Sequence, residues 1–327
     1  MRNILCVTLI ALLGGCTSTS VTEKYQDKRN DIINVKDKVI EFETGNVLIG
    51  SVSRLYMSNK CLLIADHKSV DKQIHIFNKN DFSYLTSIGN FGEGPEEITV
   101  MGCLAIDEAH HQLYVSDHAK QKIFSYDMDS VMVDSLYKPQ VKTAMNETLF
   151  PSEYQYINDT LSIAVLIKPT STSTFNQFLG RWNMNTGEMI PMKYTHPDIQ
   201  KKRITFAASE KAGIYVECYT RHDLMTICSL DGELLYNIYG PDWDGGNGNK
   251  LQSFGTVMIG NDKIFVSYCG EDYARDSFPT KILVFDLEGN YLKTLETGYK
   301  ISDCCYDSFN NRIILSLNDV VQFAYLD

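Results

Sequence analysis

Beyond about residue 35 the chain carries short runs of Val, Ile, Leu, Tyr and Phe that alternate with polar residues and stop at Gly, Asn or Asp. Runs of period two predict strands, and no stretch of helical periodicity competes with them. Two segments can be laid over each other, Leu62–Phe77 and Gln112–Tyr126. Each reads as a strand ending in Asp-His (Asp66-His67 and Asp117-His118), a polar loop, then lysine, isoleucine and an aromatic in the next strand. Weaker copies lie at Gly213–Cys228 and Lys263–Asn290. A period of about 40–50 residues is that of a four-stranded propeller blade.

Counting copies predicts an all-β, six-bladed β-propeller with rough blade limits 51–98, 99–148, 149–200, 201–249, 250–300 and 301–327. The third blade is the least regular. The last has room for only three strands, Asp303–Asp307, Arg312–Leu317 and Val320–Leu326. Its missing outer strand is expected from Lys38–Phe42, which alternates and is otherwise orphaned. Joining first and last strands in one blade closes a ring and removes an exposed sheet edge.

Between the first two blades lies Ser87–Ile98, with three glycines and a proline from Gly89 to Glu97. Gly permits positive φ and Pro removes a donor, so the stretch is a connector rather than a strand or helix. Gly89–Ile98 resembles the G-x-G-x-G-P-x-E loop of the TolB-like six-bladed propeller lipoproteins of Gram-negative bacteria. Ile282–Lys293 is similar to a strand pair of the same family, and the Asp-His repeats resemble NHL-type blades. The resemblance runs from about residue 35 to the end and implies the fold. It implies little about activity, since most such proteins have no assigned biochemical function.

The first residues give an address. Arg2, an apolar run Ile4–Leu13 and small residues before Cys16 make a secretory signal, and the run is too short for the roughly 20 residues that span a bilayer. Leu13-Gly14-Gly15-Cys16 resembles the bacterial lipobox, which implies a lipidated Cys16, a signal at residues 1–15 and a membrane-anchored lipoprotein of the cell envelope. Polar residues 16–34 are expected to be a flexible tether, leaving 35–327 as one propeller.

The net charge is −11, with 30 Lys plus Arg against 41 Asp plus Glu, and no basic cluster stands out against it. That balance disfavours nucleic acid as a partner. Of nine cysteines, Cys6 lies in the signal and Cys16 at the lipidation site. The remaining seven fall mostly in apolar strand patterns, as buried thiols do.

In a propeller the loops between second and third strands open on the same face as the blade-to-blade loops. On that rim the candidate ligand contacts are Asp66, His67, Gly92, Glu93, Asp117, His118, Arg221, His222, Trp243, Asp272, Tyr273 and Arg275. The plainer alternative makes Asp66 and Asp117 turn formers whose side chains bond backbone two residues on, and folds Trp243 back on its blade. Asp242, Asp244 and Asn247 offer hard oxygen ligands for Ca2+, although the spacing misses the EF-hand pattern. No Gly-x-Ser-x-Gly elbow and no His-Glu-x-x-His occurs. The expectation is a non-catalytic module binding a protein, peptide or glycan without a cofactor. The rival is a metal-assisted hydrolase, lactonase or lyase on the same scaffold.

Overall fold

The computed structural model describes residues 22–134, 136–246, 251–275 and 277–327. Six antiparallel sheets form around an axis. Blade 1 comprises Ser53–Met57, Cys61–Asp66, Lys72–Asn78 and Tyr84–Asn90, and blade 2 Met101–Asp107, Gln112–Asp117, Lys122–Asp127 and Gln140–Ala144. Blade 3 comprises Phe150–Asn158, Leu161–Pro169, Phe175–Trp182 and Met189–Pro191, and blade 4 Ile204–Ser209, Ile214–Tyr219, Leu224–Ser229 and Leu234–Tyr239. Blade 5 comprises Leu251–Gly260, Lys263–Asp272, Lys281–Asp286 and Tyr291–Glu296. Ile301–Asp307, Arg312–Leu317 and Phe323–Leu326 make three strands of blade 6.

The fourth strand of blade 6 is Ile40–Glu41, antiparallel to Phe323–Leu326 with Ile40 opposite Tyr325 and Glu41 opposite Ala324. Phe42 continues the contact by donating its N–H to Phe323 O and stacking on Phe82 of blade 1, ring centres 3.9 Å apart. The predicted N-terminal closure is therefore present, shorter than the alternating pattern suggested.

Second strands are buried and mostly apolar because both of their faces are covered by neighbouring blades. Cys61–Asp66, Ile214–Tyr219 and Arg312–Leu317 are buried at every position. The core divides into six apolar clusters, one in each gap between adjacent blades. The gap between blades 6 and 1 is filled like the rest, by Leu55, Leu62, Phe77, Ile314 and Phe323. Turn chemistry follows the residues. Asn261 and Asp262 both hold positive φ (46° and 58°) in the two-residue loop of the long blade 5 hairpin, the twist such a loop requires.

The segment expected as a tether to residue 34 instead carries two short strands among its described residues. Glu23–Tyr25 pairs in parallel with the outer strand of blade 4, and Ile32–Asn34 with that of blade 5. Polar composition had suggested a segment with nothing to bury. Here its backbone satisfies two open sheet edges, so hydrogen bonding rather than apolar burial places it.

Candidate binding face

Each second strand ends, and each third strand begins, on the face that also carries the blade-to-blade loops. The sequence candidates therefore share one face, as chain order required. Their roles divide sharply.

Asp66 is buried and already engaged. Its Oδ1 accepts from Lys68 N (2.9 Å) and its Oδ2 from Gly50 N (2.7 Å), the blade 6-to-1 connector. Asp117, also fully buried, accepts from Ala119 N, Lys120 N, Thr99 N and Val100 N at 2.8–3.2 Å. A carboxylate on several backbone donors pins loop to loop. The repeated aspartates are braces. His67 and His118 lean over the first strands of the following blades, His67 Nδ1 lying 3.3 Å from Met101 O and His118 edge-on to Phe150. Both have a buried Nε2 without a hydrogen-bond partner among the described residues, and burial pushes both imidazoles below their ordinary pKa.

The glycine-rich loop is wrapped around a cation. Lys120 Nζ donates to Gly94 O and Glu97 O (2.6 Å each) and to Gly92 O (3.4 Å). Glu97 Oε2 accepts from Gly94 N at 2.8 Å, and a Cβ on Gly92 would stand 2.0 Å from that same oxygen. Glu93 is exposed at the loop tip. The loop's inward carbonyls thus serve Lys120.

A different picture holds at blades 3–5. Arg221 lies over the Tyr273 ring, 4.1 Å from its centre, and Arg203 over Phe175 at 4.8 Å. Asp272 accepts from Ala274 N, and Arg275 approaches Glu271 at 3.5 Å, both on the exposed blade 5 loop. Trp243 is folded back, packed within 5.0–6.0 Å (ring centres) of Tyr239, His196 and His222. Between the connector at 197–203, the Arg221-His222 loop and Gly245-Gly246 opens a cavity of about 630 Å³. Lys201 and Arg203 in its lining were missed from the sequence. The signal was Lys201-Lys202-Arg203, three consecutive cations in an acidic chain. Lys202 turns inward to a buried pair with Glu217 (2.8 Å), and its two neighbours line the cavity.

The ring also encloses an axial channel of about 400 Å³. In it Arg54 Nη1 meets Glu153 Oε1 at 2.8 Å, and Arg54 Nε lies 3.9 Å from Asp303 Oδ2. The Arg54 and Glu153 side chains stay 38% and 39% accessible inside the ring, so the channel admits water to the pair. Asp303 also accepts from Leu55 N and Thr256 Oγ1, tying three blades together. Arg54 stands charged in an otherwise mostly apolar strand, which was the available signal.

Of the calcium candidates, Asp242 accepts from Tyr268 Oη (3.2 Å) and Asp244 lies 3.8 Å from His222 Nδ1, while Asn247 lies outside the described residues, as does Cys16. On the opposite face, Asp107, His110 and Asp159 come within metal-ligand spacing of one another. The Asp107–His110 contact there is a turn brace, with Asp107 accepting from His110 N and Nδ1 just as Asp307 accepts from Asn310 N and Nδ2 in blade 6. All seven cysteines from Cys61 to Cys305 are free and buried, and burial pushes the Cys103 and Cys228 thiols up to about 11. They are thiols, not thiolates, at neutral pH.

These features define a six-bladed β-propeller braced by loop carboxylates, with a basic cavity on its loop face. Residues 17–177 match a family described as DUF5128, 6-bladed beta-propeller. No curated protein matches the chain. Among solved structures, a member of the DUF4221 family from Bacteroides vulgatus is similar over 91% of this chain and 98% of its own, with TM-score 0.61 and 11% identity. A candidate exported protein of Bacteroides fragilis is similar over 90% and 87%, with TM-score 0.59 and 13% identity. The β-propeller domain of Cps50 (Swd1) from Myceliophteria thermophila follows at TM-score 0.53 and 9% identity, over 86% and 98%. At such identities the likeness is one of fold.

Proposed function

We propose that the chain is a lipid-anchored propeller of the cell envelope that binds a protein or peptide partner on its loop face without catalysis. The anchor rests on the lipobox-like Leu13–Cys16, and the envelope address has support from the candidate exported protein of similar fold. The TolB-like and NHL-like character of the blades belongs to the same reading. One observation carries the binding face. Leu48, Val52, Val70, Phe91, Val100 and Val320 are exposed on loops of blades 6, 1 and 2. Those loops are neighbours through backbone and side-chain bonds: His67 N to Val52 O, Phe91 N to Asp71 O, and Gln322 Nε2 to Ile49 O. Single exposed aliphatics are ordinary, whereas neighbouring ones on one face mark an interaction surface.

The test is photo-crosslinking in living envelopes with a photoreactive amino acid at Leu48, Val70 or Val320, against Phe309 and Val133 on the opposite face. All five side chains are at least 82% exposed, so accessibility is matched. Discrete adducts from the first three support the reading. Adducts from the last two alone, or from none, refute it. Cys16→Ala is expected to release the protein from the membrane fraction.

A further inference from the structure

The cavity over blades 3–5 lies apart from that aliphatic surface, and its chemistry is different. In a chain of net charge −11 it gathers Lys201, Arg203 and Arg221 in one lining, with Asp198 as a carboxylate among them. Neither Lys201 nor Arg203 forms an ion pair within 4 Å among the described residues. Two of the cations are held in advance: Arg203 is stacked on Phe175 and anchored to Lys202 O at 2.8 Å, and Arg221 is stacked on Tyr273. Guanidinium planes fixed by aromatic faces lose little freedom on meeting a ligand. His222 is a second, independent sign. Its side chain is 91% buried in the same lining, and its Nδ1 has no hydrogen-bond partner among the described residues, Asp244 Oδ1 standing 3.8 Å away. Apart from that long contact with Asp244, this buried nitrogen has hydrogen-bonding capacity that a ligand can use. A volume of about 630 Å³ is in the range of small-molecule sites.

We propose that this cavity binds a small anionic ligand, one presenting a sulfate, phosphate or carboxylate group to Lys201 and Arg203, with Arg221 and His222 completing the lining. Fixed cations in a partly enclosed site favour an anion far more than the same charges on an open surface, and planar guanidinium groups match the oxygens of all three anions.

The experiment is calorimetric titration of the purified chain at low ionic strength with inorganic sulfate, inorganic phosphate and glucuronate, and with glucose as the neutral control. At least one anion is expected to bind saturably, more weakly as NaCl is raised, and glucose not at all. Preference for sulfate or phosphate assigns an ester-type anion, and preference for glucuronate an acidic sugar. Lys201→Ala with Arg203→Ala is expected to weaken binding about 10-fold or more, as loss of charge-assisted hydrogen bonds does. Exposed Lys60→Ala with Lys263→Ala leaves it unchanged. Arg203 is half-buried, so should the double variant fail to fold, Lys201→Glu alone decides the matter. No saturable binding by any of the three anions overturns the proposal. So does binding that the Lys201 and Arg203 variants leave intact, which would be an adventitious anion only. Neither result touches the crosslinking test of the aliphatic loops.

Discussion

Arg29 Nη1 lies 2.8 Å from Asp223 Oδ1, joining the N-terminal segment to a loop of blade 4 with the two side chains 8% and 0% accessible. The guanidinium stands 5.5–5.7 Å from the ring centres of Tyr268, Phe254 and Phe285 of blade 5. Asp223 Oδ2 also accepts from Asp242 N (3.2 Å), and a Cβ on Gly240 would come within 2.2 Å of this carboxylate. The segment is thereby bolted into the interface between two blades.

Removing one partner of a buried ion pair leaves the other uncompensated, at about 3–5 kcal/mol. Arg29→Ala and Asp223→Ala are each expected to destabilise by that order in urea unfolding. Arg29→Met with Asp223→Asn is expected to cost less than the sum of its single changes. Gly240→Ala should match the single losses, because the held carboxylate cannot step aside. Single variants with unfolding midpoints equal to the parent would refute the bolt.

The N-terminal segment does two separable things. Ile40–Glu41 completes blade 6, whereas Glu23–Tyr25 and Ile32–Asn34 only cover finished blades. Deleting 35–43 is expected to abolish monomeric, cooperatively folding protein. Deleting 22–34 should leave a folded ring that melts earlier and self-associates through bared edges. Size-exclusion chromatography and circular dichroism distinguish the two, and a 35–43 deletion that melts like the parent refutes the closure.

Lys120 holds the glycine-rich connector through three carbonyls. Lys120→Met is expected to cost about 1.5–3 kcal/mol, the worth of hydrogen bonds to a charged group. Amide exchange should accelerate at Gly92–Ile98 in that variant. Unaltered exchange there would show that the loop is held by other contacts.

Burial lowers the pKa of His67, His75, His118, His196 and His222 from the ordinary 6.5, while bonding to Asp107 raises that of exposed His110. For these five buried or partly buried rings the unfolded chain takes up protons first. Their contribution to stability is therefore full above pH 6.5 and is lost as pH falls from there through the lowered values. Melting temperature should decline over that interval, and imidazole NMR titrations should place the five below 6.5 and His110 above it. Buried rings titrating at or above 6.5 would contradict the packing described.

The blade count and the shared face were legible in the sequence because strand periodicity and turn residues are local signals. Asp66-His67 and Asp117-His118 marked the same corner in two blades, and chain direction alone put those corners on one face. Their roles were decided elsewhere. The amides that occupy Asp66 and Asp117 include Gly50, Thr99 and Val100, which only ring closure and loop packing bring near. Arg29 lies in the polar stretch 16–34, and only blades 4 and 5 together offer it a buried carboxylate and three aromatic rings. Lys201-Lys202-Arg203 gave a run of charge, but strand pairing set which cation turns to Glu217 and which face the cavity. Alternation along a strand is written residue by residue. Which side chains converge across blades depends on backbone geometry summed around the whole ring, and no short stretch of chain contains it.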